Sequence, residues 1–239
     1  MQLLLKVRLS HFFFFFLALY LVISFSIKSH ALSPAALTLF SVNSFLYGFY
    51  ISPILGSQKQ RIDDLSRIIR AESNALFDML IKTKKLPRHS RNTLQAKFTA
   101  YIQACVAQRR PAEGEEEYEQ LISYCLDYDG EQPEHVEKIL GGLVANQANR
   151  SQLAMQLGNN VFSNEWWIIL VLFSITNGFV LFLSVQNSFV LNCVKALLCT
   201  GLTMLLVNLV KLSTLTHKKA KHIWDPLEKL EASRFRRTE

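Results

Sequence analysis

Four long apolar runs constrain this chain more than any other feature of its sequence. They cover residues 12–27, 35–55, 166–185 and 190–210. A helix needs roughly 20 apolar residues to cross ~30 Å of hydrocarbon, and each run is close to that length. The apolar residues of a soluble domain would instead be spread at helical or strand spacing. We therefore predict an all-α membrane protein with four spanning helices.

The charge of the chain also fits a lipid bilayer as its partner. The sequence carries 26 Lys and Arg against 19 Asp and Glu, a net charge of +7. These basic residues crowd the ends of the apolar runs, where anionic lipid head groups and orientation signals act on them. We therefore expect no nucleic-acid binding. The side that carries most Lys and Arg is cytoplasmic in membrane proteins, which predicts that both termini and the middle of the chain face the cytoplasm.

The first apolar run has two interpretations. Lys6 and Arg8 precede it and Ser29, His30 and Ala31 follow it, a layout that signal peptides share. A run of this length is long for a signal core, however, and Lys28 lies close to the possible cleavage site. We favour a retained span, with a cleaved signal as the alternative.

The segment between the second and third runs is polar and helical in pattern. Its first helix repeats apolar residues at three-four spacing, and Glu72 fills the one missing step. We predict that this helix grows from the second span and ends at Pro87, and that a second begins near Ser90 and ends at Pro111. A third is expected near residues 115–126 and a long fourth after Pro133. The predicted regions are residues 1–56 (spans 1 and 2), 57–165 (cytoplasmic helical layer), 166–211 (spans 3 and 4) and 212–239 (basic juxtamembrane tail).

Several of these residues resemble a known family. Glu72-Ser73-Asn74-Ala75-Leu76, Leu86-Pro87, Arg91, Leu94 and Tyr101 are similar to the E-x-N-A-L…L-P…R…L…Y pattern of bacterial bestrophin-like membrane proteins. The tail Trp224-Asp225-Pro226-Leu227 and the layout of spans match as well. The resemblance implies a bestrophin-like fold in the bacterial inner membrane. It also implies a structural role for Glu72, Asn74, Pro87, Arg91 and Tyr101.

Bestrophins are oligomeric anion channels whose second span lines a pore and continues into a cytoplasmic domain. The resemblance therefore implies a homo-oligomer that conducts chloride or another small anion. This sequence departs from the bestrophin pattern at Phe49-Tyr50-Ile51, where bestrophins carry Trp-Trp-Glu, and it contains no Arg-Phe-Pro motif. Pro53 would also kink or end a helix within the expected pore. The alternative function is a non-conducting scaffold or sensor whose cytoplasmic helices bind a partner.

The second span has two distinct faces. Ser41, Ser44, Gly48 and Ser52 form a stripe of small residues, which allows close approach of a neighbouring helix. If that stripe packs on the bundle, then Asn43, Tyr47 and Tyr50 on the opposite face are candidates to line a pore, where their dipoles would meet a dehydrating anion. The alternative is that Asn43 makes an interhelical hydrogen bond and that the tyrosines lie at the membrane interface.

Two charged residues occupy otherwise apolar faces. Lys195 lies in the fourth run and is a further pore candidate. We expect its ammonium group to snorkel to the outer leaflet, with an anion-attracting vestibule as the alternative. Glu72 is expected to pair with Arg91 or Arg150 and to fix register.

We find no combination of nucleophile, acid and base, and the histidines and cysteines do not lie at metal-ligand spacing. We therefore predict that the protein is not an enzyme and has no catalytic residues, metal site or cofactor.

Overall fold

A computed structural model of the chain describes residues 7–27, 33–108, 114–158, 163–182, 189–215 and 222–232. Within these ranges the chain forms eight helices and no strand. The helices are α1 (Leu9–Ser26), α2 (Pro34–Thr83), α3 (Arg88–Gln108), α4 (Glu115–Leu126), α5 (Pro133–Gly158), α6 (Ser163–Phe182), α7 (Phe189–Ser213) and α8 (Asp225–Ala232). The prediction of an all-helical chain is confirmed. The expected signal-cleavage site and helix end at Pro111 lie outside the described residues.

Helices α1, α2, α6 and α7 each contain a segment long and apolar enough to cross a membrane. Residue choice explains their ends: α1 is an uninterrupted apolar run that ends at Ser26, and α2 ends shortly before Pro87. The shorter helices follow simple capping rules. Three glutamates occupy the first turn of α4, where the helix dipole favours negative charge, and Pro133 opens α5, where its missing N–H costs nothing.

Helix α2 is one continuous helix of 50 residues. It begins in the second apolar run and ends in the amphipathic segment, as predicted. Pro53 lies inside it and does not end it. Proline removes one backbone donor, but neighbouring helices and side chains in membrane bundles commonly satisfy the freed carbonyl group.

The chain divides into two compact units. The apolar unit comprises Met1–Gln60 and Asn160–Lys218, and the amphipathic unit comprises Arg61–Asn159 and Lys219–Glu239. In the apolar unit, α1 and α6 pack against α7. The Tyr20 hydroxyl lies 2.8 Å from Thr203 Oγ1, and Lys211 Nζ donates a 2.6 Å hydrogen bond to the carbonyl oxygen of Val7. Helices α1 and α7 are therefore antiparallel.

The amphipathic unit has an apolar core of its own. Its α4 packs on both α3 and α5, and α8 packs on α3. The predicted stripes of the first two helices are buried as expected: Ile62, Leu65, Ile69, Leu76, Met79, Leu94, Phe98, Tyr101 and Cys105. Two apolar residues of this unit, Ile122 on α4 and Leu140 on α5, are only half-buried. Ile139, fully buried, takes the inward position on α5.

A basic tail with interspersed apolar residues suits either a helix on the membrane surface or a helix docked on the protein. Ile223, Trp224, Leu227 and Leu230 are all buried in the amphipathic unit. The Ser73 hydroxyl also donates a 3.2 Å hydrogen bond to the carbonyl oxygen of Pro226. The apolar face of α8 is thus occupied by protein, which favours docking.

Candidate functional site

Asn43 forms hydrogen bonds inside the apolar unit. Its side-chain Nδ2 donates to Thr176 Oγ1 at 2.7 Å and to the carbonyl oxygen of Leu172 at 3.1 Å. Both acceptors belong to α6, and the rings of Phe40 and Phe179 lie 5.8 Å apart between the same two helices. Within the chain, Asn43 therefore makes interhelical hydrogen bonds, as the alternative interpretation predicted.

Tyr47 is also turned inward. It is only 2% exposed, and its hydroxyl donates to the carbonyl oxygen of Leu202 on α7 at 3.3 Å. Its ring centroid lies 6.2 Å from that of Phe173. Tyr50, one turn further along α2, is half-buried. Asn43 and Tyr47 thus attach the second span to α6 and α7, and a pore-lining role for this face stays a prediction.

The small-residue stripe does not pack on α6 or α7 within the chain. Ser41, Gly48 and Ser52 are exposed and Ser44 is half-buried. A Cβ atom added at Gly48 would meet no heavy atom within 4 Å. The condition under which the opposite face would line a pore is therefore not met within the chain, because the aromatic side of α2 supplies the contacts to α6 and α7. The small stripe is left as an open surface of the apolar unit.

Lys195 is buried within the apolar unit. Its side chain is 3% exposed and lies on the inward face of α7, together with Asn192, Cys199 and Thr203. Helical spacing of three to four residues places these four residues on one face. The depth of the ammonium group in a bilayer stays a prediction.

A second polar cluster lies in the core of the amphipathic unit. Glu72 on α2 is 1% exposed, and the Tyr101 hydroxyl on α3 donates a hydrogen bond to its Oε1 atom. The expected ion pair with Arg91 or Arg150 is not formed. Arg150 instead donates a 2.6 Å hydrogen bond to Glu115 Oε2 and a 3.0 Å hydrogen bond to Gln147 Oε1.

The guanidinium group of Arg150 lies against two aromatic rings. Its central carbon is 3.8 Å from the ring centroid of Tyr118 and 5.4 Å from that of Tyr101. The Tyr118 hydroxyl in turn donates to the carbonyl oxygen of Leu143 at 2.7 Å. Side chains from α2, α3, α4 and α5 therefore meet in one buried cluster, which we call the Glu72 cluster (Glu72, Tyr101, Cys105, Glu115, Tyr118 and Arg150).

Burial dominates the proton affinities in this cluster. It raises the pKa of Glu72, although the hydrogen bond from Tyr101 and the charge of Arg150 act in the opposite direction. Burial and then the Glu72 charge raise the pKa of Tyr101. Burial also raises the pKa of the Cys105 thiol to about 12 and that of Tyr118 to about 12. Glu72, Tyr101, Cys105 and Tyr118 therefore favour their neutral forms beside the Arg150–Glu115 ion pair.

The remaining family-motif residues lie at the edge of this unit. Asn74 is exposed, and Pro87 lies in the turn before α3, where its carbonyl oxygen accepts a 2.9 Å hydrogen bond from the Arg91 backbone N–H. Arg91 is half-buried, and its Nε atom is buried without a hydrogen-bond partner. Of the five motif residues, Glu72 and Tyr101 touch each other.

The sequence interpretation missed Asn146 as a core residue of α5, and named Arg150 only as a possible partner of Glu72. Both are buried on the same face as Val136, Ile139 and Leu143. The helical spacing of these positions from Leu143 was a usable signal, because residues three or four apart share a helix face. A search for apolar stripes does not find polar residues that continue the stripe.

Comparison with known proteins gives a family. Residues 12–217 match the model of the bestrophin-like domain, a range that runs from within α1 to the end of α7. No curated protein and no solved structure matches the chain. The match agrees with the resemblance seen in the sequence and with the apolar helices, which indicate a membrane protein. The chain belongs to the bestrophin-like family.

Proposed function

We propose that this protein is an oligomeric anion channel that crosses the membrane four times, with both termini and the amphipathic unit in the cytoplasm. The observation that carries the proposal is the bestrophin-like match over residues 12–217. The four helices long enough to cross a bilayer support it. So does the distribution of basic residues, which places positive charge beside the spans on one side.

The open face of α2 supports a specific version of the pore. Ser41, Gly48 and Ser52 are exposed in the chain, whereas the polar atoms of Asn43 and Tyr47 already bond to α6 and α7. Small side chains leave space for a pore along the central axis of an oligomer. Serine hydroxyl groups supply dipoles to a partly dehydrated anion in that pore. We place this face at the axis, and Asn43, Tyr47 and Tyr50 behind it as the support of the pore helix.

Chloride flux from liposomes that contain the purified full-length protein tests the proposal. Gly48→Phe should strongly reduce flux, because the new ring enters the space at the axis. Gly201→Phe is the matched control: Gly201 also lies in a spanning helix, and an added Cβ atom there meets no heavy atom within 4 Å. Flux equal to that of empty vesicles would reject the channel. Equal flux in the two variants would reject the assignment of the face.

A non-conducting scaffold or sensor is the second candidate. The amphipathic unit carries an open cleft of about 460 Å³, lined by Lys97, Glu116, Glu119, Gln120, Ser123 and Tyr124. Because acidic and basic side chains both line this cleft, it suits a polar segment of a partner protein. Absence of flux in a protein that is folded and oligomeric would favour this function.

A further inference from the structure

The Glu72 cluster raises a question that anion conduction does not answer. A carboxyl group lies in the apolar core of a helical unit, yet Arg150, the cation whose charge acts on it, pairs with Glu115. An ionised carboxylate buried without a paired cation is costly, whereas a neutral carboxylic acid with a hydrogen bond is tolerated. The arrangement therefore suits a Glu72 side chain that holds its proton.

We propose that Glu72 is a reversible proton-binding site whose proton decides the partner of Arg150. With the proton bound, Tyr101 donates to Glu72 and Arg150 pairs with Glu115, as observed. When the proton leaves to solvent, the carboxylate attracts the guanidinium group, and the Arg150–Glu115 pair separates. No other bond is made or broken in this step.

The two possible acids for Arg150 differ in their surroundings. The Glu115 side chain is 50% exposed, whereas Glu72 lies in the core. Ion pairs with an exposed partner contribute little, because water screens the interaction. A buried carboxylate gains much more from a cation, since few other groups can solvate it. Arg150 therefore exchanges a weak partner for a strong one when Glu72 ionises.

The charged and titratable groups around Glu72 come from three other helices. Tyr101 and Cys105 lie on α3, Tyr118, Glu115 and Glu117 lie on α4, and Arg150 lies on α5. Tyr101, Cys105 and Tyr118 all have raised pKa values, so they stay neutral over the range in which a carboxyl group titrates. The nearby acidic residues Glu115 and Glu117 further oppose a negative charge on Glu72. Glu72 is thus the group of the cluster whose charge changes.

Separation of Arg150 from Glu115 would act on two helices. Glu115 is the first residue of α4, and Arg150 lies near the end of α5. Arg150 also packs on the Tyr118 ring, so movement of its guanidinium group alters the contact between α4 and α5. We expect the first turn of α4 to loosen when Glu72 loses its proton.

Isotope-edited infrared spectroscopy of the full-length protein in detergent tests the proton directly. The wild type should keep the signal of a protonated carboxyl group at pH values above the usual range of glutamate, and Glu72→Gln should lack it. Tyr101→Phe removes a donor to the carboxylate, so it should shift the titration to higher pH. A structural role alone would not move this titration. Loss of the signal within the ordinary range of glutamate would overturn the proposal.

Hydrogen exchange over the same pH range tests the coupling to Arg150. Amide exchange in the first two turns of α4, expressed relative to the intrinsic exchange rate at each pH, should rise several-fold in the wild type as the carboxyl signal disappears. Glu115→Gln removes the exposed partner without touching the core, so exchange there should be fast at every pH. If Glu72→Gln does not fold, the upward shift in Tyr101→Phe and the pH-independent exchange in Glu115→Gln still decide the matter. Exchange that stays constant while Glu72 titrates in the wild type would refute the coupling.

Discussion

The amphipathic unit buries its apolar side chains and exposes its charged ones, whereas the apolar unit exposes apolar side chains and buries polar ones. In the amphipathic unit, Leu65, Ile69 and Phe98 are fully buried, and most charged side chains are outside. In the apolar unit, large apolar residues face outward while polar ones are buried. The outward residues include Phe14, Phe15, Val22, Phe45, Phe49 and Val171, and the buried ones include Ser24, Asn177, Asn192, Lys195 and Thr200.

The difference shows which medium each unit is built for. Between 6% and 33% of the apolar windows is buried within the chain, so most of their surface is left to lipid or to another copy. Burial of apolar surface cannot hold such helices together, because lipid tails are as apolar as leucine. Hydrogen bonds such as Asn43 to Thr176 and close packing have to do so. The amphipathic unit can use the hydrophobic effect instead.

The largest expected contrast comes from one substitution made in both units. Phe98→Ala should lower the free energy of unfolding of the full-length protein by about 3–5 kcal/mol, because it leaves a cavity in the core of the amphipathic unit. Phe49→Ala should change it by no more than about 0.5 kcal/mol, because Phe49 is 69% exposed. Denaturant titration in detergent measures both. Equal losses would show that the two units do not differ in this way.

A smaller loss of stability is expected when a buried charged residue of the amphipathic unit is replaced. Arg61 is buried and donates to the carbonyl oxygens of Gln156 and Leu157, at 2.7 Å and 2.9 Å, near the end of α5. Loss of charged hydrogen bonds at the negative end of a helix dipole costs about 2 kcal/mol. Arg61→Met should therefore destabilise the protein by that amount. The control is Arg70→Met, because Arg70 is exposed.

Interhelical hydrogen bonds in the apolar unit should contribute less again. Asn43→Leu removes both donations to α6 and should lower stability by about 1 kcal/mol, since such bonds in membrane bundles average about 0.6 kcal/mol. Ser41→Ala should have no measurable effect, because the Ser41 hydroxyl bonds only to the carbonyl oxygen of Leu37 on its own helix. Steric trapping or denaturant unfolding in bicelles distinguishes the two. A loss as large as that of Phe98→Ala would contradict the view that these bonds are individually weak.

The sequence predicted the helices and their boundaries well, and it predicted less well which face of each helix is buried. Helix boundaries at Glu115, Leu126 and Pro133 agree with the structure because dipole-compatible acids and prolines mark them locally. Buried positions such as Leu65 and Phe98 followed from periodicity in a water-facing unit. Periodicity carries less information in a span, since both faces are apolar. This is why the sequence left open whether the small stripe at Gly48 packs on the bundle, whereas the structure exposes it.

Partners of buried charges were also beyond the sequence. Glu72 was recognised as the charged break in an apolar stripe, but its contact with Tyr101 depends on how α3 packs against α2. Arg150 pairs with Glu115, 35 residues away in sequence. Spacing along the chain cannot choose between Glu72 and Glu115 for one arginine. Lys195 shows the same limit, because its depth in the unit is set by packing and not by its position along α7.

The smallest expected effect separates two adjacent glycines of α5. A Cβ atom added at Gly142 would lie 3.0 Å from Met79 Cγ and Sδ, whereas one added at Gly141 would meet nothing within 4 Å. Alanine gains up to about 1 kcal/mol over glycine in a helix interior, so Gly141→Ala should stabilise the protein by that amount. In Gly142→Ala the gain is offset by overpacking, since Met79 is buried and has little room to move.

Gly142→Ala should therefore be about 1 kcal/mol less stable than Gly141→Ala, because Gly142 lies against the core of the amphipathic unit and Gly141 does not. Thermal unfolding of the two variants side by side is sensitive enough to detect it. When Met79→Ala is added to both variants the difference between them should disappear, because the contacting Cγ and Sδ atoms are gone. If the two glycine variants are equally stable, α5 does not approach α2 closely at Met79, and the tight packing that sets this unit apart from the apolar one is absent there.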